Sequence, residues 1–224
     1  VIVQPFTPEF RQQPWRKFLE ATLIQGCHAV HLVAGHDYHF GFKGEGNPEK
    51  LQQACKELGI GCDIIPKVEL DNIIISSTYI RELIAEGNIE RANRFLGHPY
   101  TLSDVVSHGK KLGSTLGFPT VNLKLKEHVL PPAKGVYATK VILENGDTHI
   151  AVTNVGTRPT VADGNHLTIE GFILDFNGDL YGQKIQMEFY QYIRPERKFP
   201  SFDALRAEVY RNADQTRAYF AENP

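Results

Sequence analysis

The sequence predicts two domains of different class: a partial α/β domain over residues 1–97, followed by a six-stranded antiparallel β-barrel with a C-terminal helix over residues 98–224. Up to residue 97, stretches with strand and helix periodicity alternate, which is typical of a parallel sheet covered by helices. The composition changes at Gly97-His98-Pro99, after which short apolar strands are separated by Gly, Pro, Asn and Asp. A chain of 224 residues is long enough for two domains of ordinary size.

Helix start and stop signals define the elements of the first domain. Pro14 occupies a first-turn position, and Gly26 and Gly59 are expected to end two of the helices. The expected elements are, in order, a helix between Pro14 and Gly26, a strand over 29–34, a helix from Asn47 to Leu58, a strand around 62–68, and helices near 78–86 and 89–96.

In the second domain, six strands are expected near 102–108, 118–124, 136–143, 148–155, 167–175 and 184–192. The turns 144–147 and 176–179 both contain Asn-Gly-Asp and predict two β-hairpins. Six antiparallel strands in so short a segment favour a small closed barrel. Ser201 is expected to cap a final amphipathic helix.

Composition narrows the class of protein. Hydrophobic content is 42% and charged content 22%, as in globular domains, and no apolar run reaches the ~18 residues of a membrane span. Residues 1–97 carry 10 Lys+Arg against 12 Asp+Glu and residues 98–224 carry 14 against 14. Because neither domain is basic, no nucleic acid is expected as a partner, and because no apolar run is long enough to span a membrane, no membrane partner is expected. Cys27, Cys55 and Cys62 lack CxxC spacing and are expected to be reduced thiols in the cytoplasm.

The segment 108–122 has the clearest chemical pattern. Its glycines and lysines suit close contact between backbone N–H groups and phosphate oxygens; these candidates are Gly109, Lys110, Lys111, Gly113 and Gly117. Thr120 and Asn122 are two residues apart and would share one strand face. Their side-chain oxygens are suitable ligands for a nucleotide-bound Mg²⁺. For such a loop considered alone, a surface hairpin with ordinary turn glycines is the more frequent explanation.

Gly117-Phe118-Pro119-Thr120-Val121-Asn122 resembles the GFPTxN signature of riboflavin kinases. From its first residues to Phe220, the chain is similar to the bacterial bifunctional riboflavin kinase/FMN adenylyltransferase (FAD synthetase) family. The resemblance implies a Rossmann-like nucleotidyltransferase domain followed by a riboflavin kinase barrel. It also implies transfer of the γ-phosphate of Mg·ATP to the ribityl 5'-hydroxyl of riboflavin, giving FMN. In that family the residues matching Thr120 and Asn122 hold Mg·ATP, and the glycine-rich loop folds over the phosphates.

Two further matches in the barrel imply site residues. Thr168-Ile169-Glu170 resembles the strand that carries the family's catalytic glutamate, which makes Glu170 the candidate general base. A solvated glutamate on the outer face of a strand is the alternative, and the alternation of side chains does not settle which face is the interior. The segment from Arg194 to Phe199 resembles one that lies beside the flavin. A basic connector without contact to ligand explains it equally well.

In the first domain, the loop 35–41 resembles the family's GxDFxFG loop and the segment 75–81 resembles its ISSTxIR motif. The implied nucleotide-binding residues are Asp37, Ser76, Ser77, Thr78 and Arg81. Hydroxyls and N–H groups at a helix start, with a cation one turn on, bind phosphate. The alternative is a simple serine N-cap.

The family's HxGH motif does not occur in the sequence. We therefore expect that the chain lacks the unit carrying it and adenylylates FMN very weakly. The main hypothesis is a riboflavin kinase. The alternatives are a full bifunctional enzyme in the native gene and a catalytically inactive flavin- or nucleotide-binding module. Joint presence of Thr120, Asn122 and Glu170 disfavours the last alternative.

Overall fold

The computed structural model describes residues 1–107, 120–125, 127–160 and 164–223. The chain divides into two compact units, Val1–Ile75 and Ser76–Pro224. Among the described residues, no helix is long and apolar enough to cross a membrane.

The first unit contains short helices and a small parallel sheet. Its elements are α1 (Pro8–Arg11), α2 (Trp15–Lys17, continued by a π-helix over Phe18–Gly26), β1 (His31–Gly35), a 3₁₀ turn (Phe42–Gly44), α3 (Pro48–Leu58), β2 (Gly61–Ile65), β3 (Glu69–Leu70) and β4 (Ile73–Ile74). Strands β1 and β2 pair in parallel with His31 opposite Gly61. The parallel α/β arrangement expected from the alternating pattern is therefore confirmed.

Local sequence explains why α3 begins and ends where it does. The side chain of Asn47 accepts a hydrogen bond from the backbone N–H of Lys50 at 2.9 Å, and Pro48 occupies the first turn. Gly59 ends the helix in the left-handed conformation, with φ 68°, which glycine adopts without the steric cost paid by other residues. Leu51, Ala54 and Cys55 of α3 form a buried core with Leu19 and Phe40.

The second unit holds two helices, a six-stranded sheet and a long C-terminal helix. Its elements are α4 (Ser77–Glu86), α5 (Ile89–Leu96), β5 (Tyr100–Val105), β6 (Thr120–Lys124), β7 (Gly135–Ile142), β8 (Thr148–Thr160), β9 (Gly164–Ile173), β10 (Lys184–Arg194) and α6 (Phe202–Glu222). Ser201 caps α6 by accepting a hydrogen bond from the N–H of Ala204 at 3.2 Å, as its sequence predicts.

The sheet is antiparallel throughout and has the strand order β5-β10-β7-β8-β9-β6. The two outer strands approach each other where an isolated antiparallel bridge joins Ser107 to Asn122. There the backbone N–H and the Oγ of Ser107 both donate to the carbonyl of Asn122, at 2.9 and 3.1 Å. This bridge brings the two edges of the six-stranded sheet together.

One of the two predicted hairpins is confirmed and the other is wrong. The turn between β7 and β8 closes as expected, with Gly146 at φ 89° and the N–H of Asp147 donating to Asn145. Strands β9 and β10 do not pair with each other, because β10 lies between β5 and β7. The Asn-Gly-Asp pattern at 176–179 specifies a local reversal of the chain, but the partner of β10 is decided by the rest of the sheet.

Helices α4 and α5 belong to the second compact unit, although composition places the domain boundary after residue 97. The side chain of Asn93 on α5 contributes to this association. Its Nδ2 donates to the carbonyl of Phe189 on β10, and its Oδ1 accepts from the N–H of Tyr100 on β5, both at 2.7 Å. One side chain thus ties α5 to two strands of the barrel.

Candidate active site

The barrel places polar side chains from three adjacent strands in one row. Asn122 on β6 pairs with Glu170 on β9, which pairs with Asn154 on β8. The row continues through Val136 on β7 to Arg194 on β10. Because directly opposed residues of antiparallel strands point to the same face, these five side chains lie on one face of the sheet.

The structure settles which face of β9 is the interior. A Cβ built at Gly171 would lie 2.8 Å from Cε of Met187 and 3.1 Å from Cγ2 of Val121, both of which are buried. Residue 171 therefore points into the barrel, as does buried Ile169. Glu170 lies between them and points outward. It is only half-exposed there, since α6 packs against this side of the barrel.

Between the outward face and α6 lies a cavity of about 350 Å³. Thr120, Asn154 and Glu170 contribute polar groups to its strand wall. The apolar lining comes from both sides and consists of Val136, Val152, Phe172, Leu205 and Val209. The connector between β10 and α6 completes the wall with Arg194, Glu196, Arg197 and Phe199. A largely apolar cavity with a few convergent polar groups is the usual form of a small-molecule site.

A buried glutamate on α6 organises the cationic end of the cavity. Glu208 is 5% exposed. Its carboxylate pairs with Nε of Arg194 at 3.1 Å, with Nη2 of Arg197 at 2.6 Å, and with Nη1 of Arg211. Burial lowers the pKa of Arg194, and the charge of Glu208 acts in the opposite direction. The glutamate therefore stabilises a guanidinium group that burial disfavours.

Phe199 lies against the same cationic groups. The guanidinium carbons of Arg194 and Arg197 are 5.5 and 5.0 Å from the centre of its ring, distances at which cations are attracted to an aromatic face. Glu208 thus positions Arg194 and Arg197 against Phe199, and these contacts join α6 to the connector at one corner of the cavity.

Comparison with known proteins identifies the family. Residues 96–220 match the family model described as riboflavin kinase, and residues 1–79 match the one described as FAD synthetase. The bifunctional riboflavin kinase/FMN adenylyltransferase of Listeria monocytogenes is 40% identical over 217 residues, covering 97% of this chain and 68% of the relative. That of Haemophilus influenzae is 41% identical over 220 residues, covering 98% and 71%.

The chain belongs to the bifunctional riboflavin kinase/FMN adenylyltransferase family. A crystal structure of a macrolide-efflux protein from Streptococcus pneumoniae is also similar, with a TM-score of 0.85 and 34% identity over 95% of this chain and 67% of that one. Membership in the family confirms the two-part fold class that the motifs implied.

The structure describes one group of the candidate residues of the riboflavin kinase domain and leaves the other group outside the described residues. The phosphate-binding candidates of the riboflavin kinase loop lie outside the described residues; they are Gly109, Lys110, Lys111, Gly113 and Gly117. In contrast, Thr120, Asn122 and Glu170 are brought together. Thr120 is opposite Phe172 and Asn122 is opposite Glu170 on neighbouring strands.

The candidates for the adenylyltransferase site fall in separate units. Asp37 lies in the first unit, where its backbone carbonyl is 3.0 Å from Nδ1 of His39. In the second unit, Ser76 is the N-cap of α4 and accepts from the N–H of Tyr79 at 3.2 Å. Arg81 donates to Oγ of Ser77 at 3.1 Å. Ser76 therefore fulfils the capping role that the sequence left open, and exposed Thr78 lies in the first turn.

Sequence reasoning did not assign a role to several residues that form the cavity. Asn154 is one of them, and its place beside Glu170 follows from the register of β8 and β9. No signal in the sequence indicated Glu208, since a glutamate in an amphipathic helix usually faces solvent. Its burial follows from the position of Arg194, 14 residues earlier in the chain.

Proposed function

We propose that the second unit phosphorylates riboflavin at the end of the cavity where Thr120, Asn122 and Glu170 converge. The observation that carries the proposal is that all three lie on the outward face of β6 and β9, where Thr120 and Glu170 line a largely apolar cavity. A phosphoryl acceptor with a hydroxylated chain and a flat ring system matches this division into a polar end and an apolar body. Family membership supports the same reaction.

In the proposed reaction Glu170 is the general base. Its carboxylate accepts the proton of the ribityl 5'-hydroxyl as that oxygen forms a bond to the γ-phosphorus of ATP. The bond from the γ-phosphorus to the β–γ bridging oxygen breaks, and ADP leaves. A primary alcohol is a weak nucleophile at neutral pH, so a carboxylate within hydrogen-bond reach accelerates the transfer.

The apolar part of the cavity is proposed to hold the flavin ring. Val136 and Val152 supply one wall and Leu205 and Val209 of α6 the other. Glu170 and Arg194 are three strand spacings apart along the row, which is roughly 14 Å. The reacting hydroxyl and the ring would therefore occupy opposite ends, with Arg194 and Phe199 at the ring end.

Thr120 and Asn122 fit a magnesium ion that arrives with ATP. They are alternate residues of β6, their oxygens are hard ligands, and Asn122 is 9% exposed. Magnesium in such sites usually takes one or two protein oxygens, with phosphate and water oxygens completing its shell. When bound, it neutralises charge on the β- and γ-phosphates. We propose that the loop containing Gly109, Lys110 and Lys111 contributes N–H and ammonium groups to the same phosphates.

The direct test is to incubate the chain with riboflavin, ATP and Mg²⁺ and to separate the flavins by chromatography. FMN is expected to accumulate at the expense of riboflavin. Binding of riboflavin without FMN would indicate the inactive flavin-binding module instead.

FMN adenylylation is a second candidate function, favoured by the match of residues 1–79 to the FAD synthetase model. The first unit also has a groove of about 400 Å³ lined by aromatic rings and by Arg11 and Lys43. The rings are those of Phe6, Phe10, Phe18, Tyr38 and Phe40. An FAD peak in the same chromatogram, formed from FMN and ATP, would establish this activity.

Thr120→Ala and Asn122→Ala are each expected to weaken Mg·ATP binding by ~10-fold and to lower turnover, because each removes an oxygen ligand next to the phosphates. Calorimetric titration with ATP, with and without Mg²⁺, measures the effect. The loss should appear only with Mg²⁺. Equal losses without the metal would show that these side chains contact the nucleotide or support the strand rather than the ion.

A further inference from the structure

Glu196 lies at the rim of the cavity, and its carboxylate is close to the backbone of Gly156 on strand β8. A Cβ built at Gly156 would lie 2.2 Å from Oε1 of Glu196 and 2.9 Å from its Cδ. These distances are too short for any side chain, so the carboxylate occupies space that is open only because residue 156 is glycine. The backbone of Gly156 is not in the left-handed region, and the conformation of β8 does not itself require glycine. With the Glu196 side chain in this position, its carboxylate fills the space that a Cβ at residue 156 would occupy.

The carboxylate of Glu196 lies next to the polar end of the cavity. Gly156 follows Asn154 by two residues on β8 and shares its outward face. The same built Cβ would lie 3.1 Å from Nδ2 of Asn154, and Asn154 is the cross-strand partner of Glu170. Glu170, Asn154 and Glu196 therefore form a polar strip that leads away from the reacting end.

Ion pairing within the connector does not account for this position. The nearby guanidinium groups of Arg194 and Arg197 both pair with Glu208 on α6. Glu196 is instead exposed at the cavity rim and directed toward β8. An ionised carboxylate there accepts hydrogen bonds only, so the ligand group that complements it is a donor, such as a hydroxyl.

We propose that Glu196 is a specificity-determining residue that accepts hydrogen bonds from the secondary hydroxyls of the substrate's polyhydroxy chain, and that Gly156 positions it. The proposal rests on the proposed riboflavin kinase function, and names the part of the substrate that this wall of the cavity binds. Asn154 provides an adjacent amide that donates or accepts, so the strip recognises a chain of hydroxyls between the reacting alcohol and the ring.

The test compares riboflavin with lumiflavin, which has the same ring and a methyl group in place of the ribityl chain. Dissociation constants are measured by quenching of flavin fluorescence. Glu196→Ala is expected to weaken riboflavin binding by ~10–100-fold, the loss of hydrogen bonds to a charged group. Lumiflavin binding should change by less than about twofold. Glu222→Ala, at the exposed end of α6, is the matched control and should alter neither.

A double-mutant cycle tests the role of Gly156. Gly156→Ala should weaken riboflavin binding about as much as Glu196→Ala, because the added methyl group displaces the carboxylate. In the Glu196→Ala background the same change should cost less than about twofold, since nothing remains to be displaced. If the losses of riboflavin affinity from the two substitutions were additive, the methyl group would act independently of Glu196. Gly156 would then have no part in the proposal.

The outcomes separate this inference from the proposed function. The role of Glu196 would be overturned, even if the parent makes FMN, by either of two results. Glu196→Ala could weaken the binding of riboflavin and lumiflavin equally, or it could leave the binding of both unchanged. In steady-state assays the KM for riboflavin should rise with the dissociation constant while the KM for ATP stays within about twofold. A parent chain that forms no FMN would refute the kinase proposal, and the binding comparison would still decide whether Glu196 reads the ribityl chain.

Discussion

Replacement of Glu170 by glutamine is expected to lower the rate of FMN formation by ~10²–10⁴-fold, the usual contribution of a general base. Glutamine has nearly the same shape and keeps the cross-strand position between Asn122 and Asn154, but it does not accept the proton of the alcohol. Binding of ATP and riboflavin should stay within a few-fold of the parent. Stopped-time assays with chromatographic separation measure the rate, and calorimetry measures both affinities.

A glutamate on another strand serves as the matched control for this experiment. Glu188 on β10 accepts a hydrogen bond from the hydroxyl of Tyr190 at 2.8 Å and does not line the cavity. Glu188→Gln should retain most of the parent's turnover. Near-normal turnover of Glu170→Gln would remove Glu170 from the mechanism and leave Asn154 and Glu196 as the remaining polar groups of the strip.

Glu208→Gln is expected to destabilise the second unit by about 3 kcal/mol, because loss of the buried negative charge leaves the desolvated Arg194 without a carboxylate partner. The side chain of Glu208 is 7% exposed and that of Arg194 is 16% exposed. Urea unfolding followed by circular dichroism measures the change in the free energy of unfolding. Riboflavin should shift the relevant transition to higher urea, which assigns it to the second unit.

The exposed ion pair between Asp175 and Arg217 provides the comparison. Its side chains are 74% and 42% exposed, and Oδ1 lies 3.0 Å from Nη2. Asp175→Asn should cost less than about 1 kcal/mol, since solvent screens the pair. Equal destabilisation by the two substitutions would mean that Glu208 contributes no more than a surface charge and does not position the arginines.

Much of the fold could be read from local signals. Asn47, Gly59 and Ser201 begin or end helices as predicted, because capping depends only on neighbouring backbone groups. The Asn-Gly-Asp turn after β7 formed a hairpin for the same reason. The equivalent turn after β9 did not, because strand pairing depends on β5 and β7, which are distant in sequence.

The candidate site also combines features that the sequence predicts with features that only the structure shows. The resemblance to family motifs indicated Thr120, Asn122 and Glu170. Because side chains alternate along a strand, Thr120 and Asn122 were expected on one face. Whether Glu170 faced the interior was open, because Ile169 and Gly171 on the opposite face are also small or apolar. Only the packing of Gly171 against Met187 decided it.

The sequence by itself determined the two-part architecture, the strands and helix caps, and the family to which the chain belongs. Those features depend on periodicity, turn chemistry and short motifs, all of which act over a few residues. The tertiary structure alone decided that Glu208 is buried among Arg194, Arg197 and Arg211, and that Glu196 fits the space left by Gly156. Contacts of this kind join α6 and the preceding connector to strands β8 and β10. Their energies depend on burial and on distances between residues far apart in sequence, and both are set only when the barrel forms.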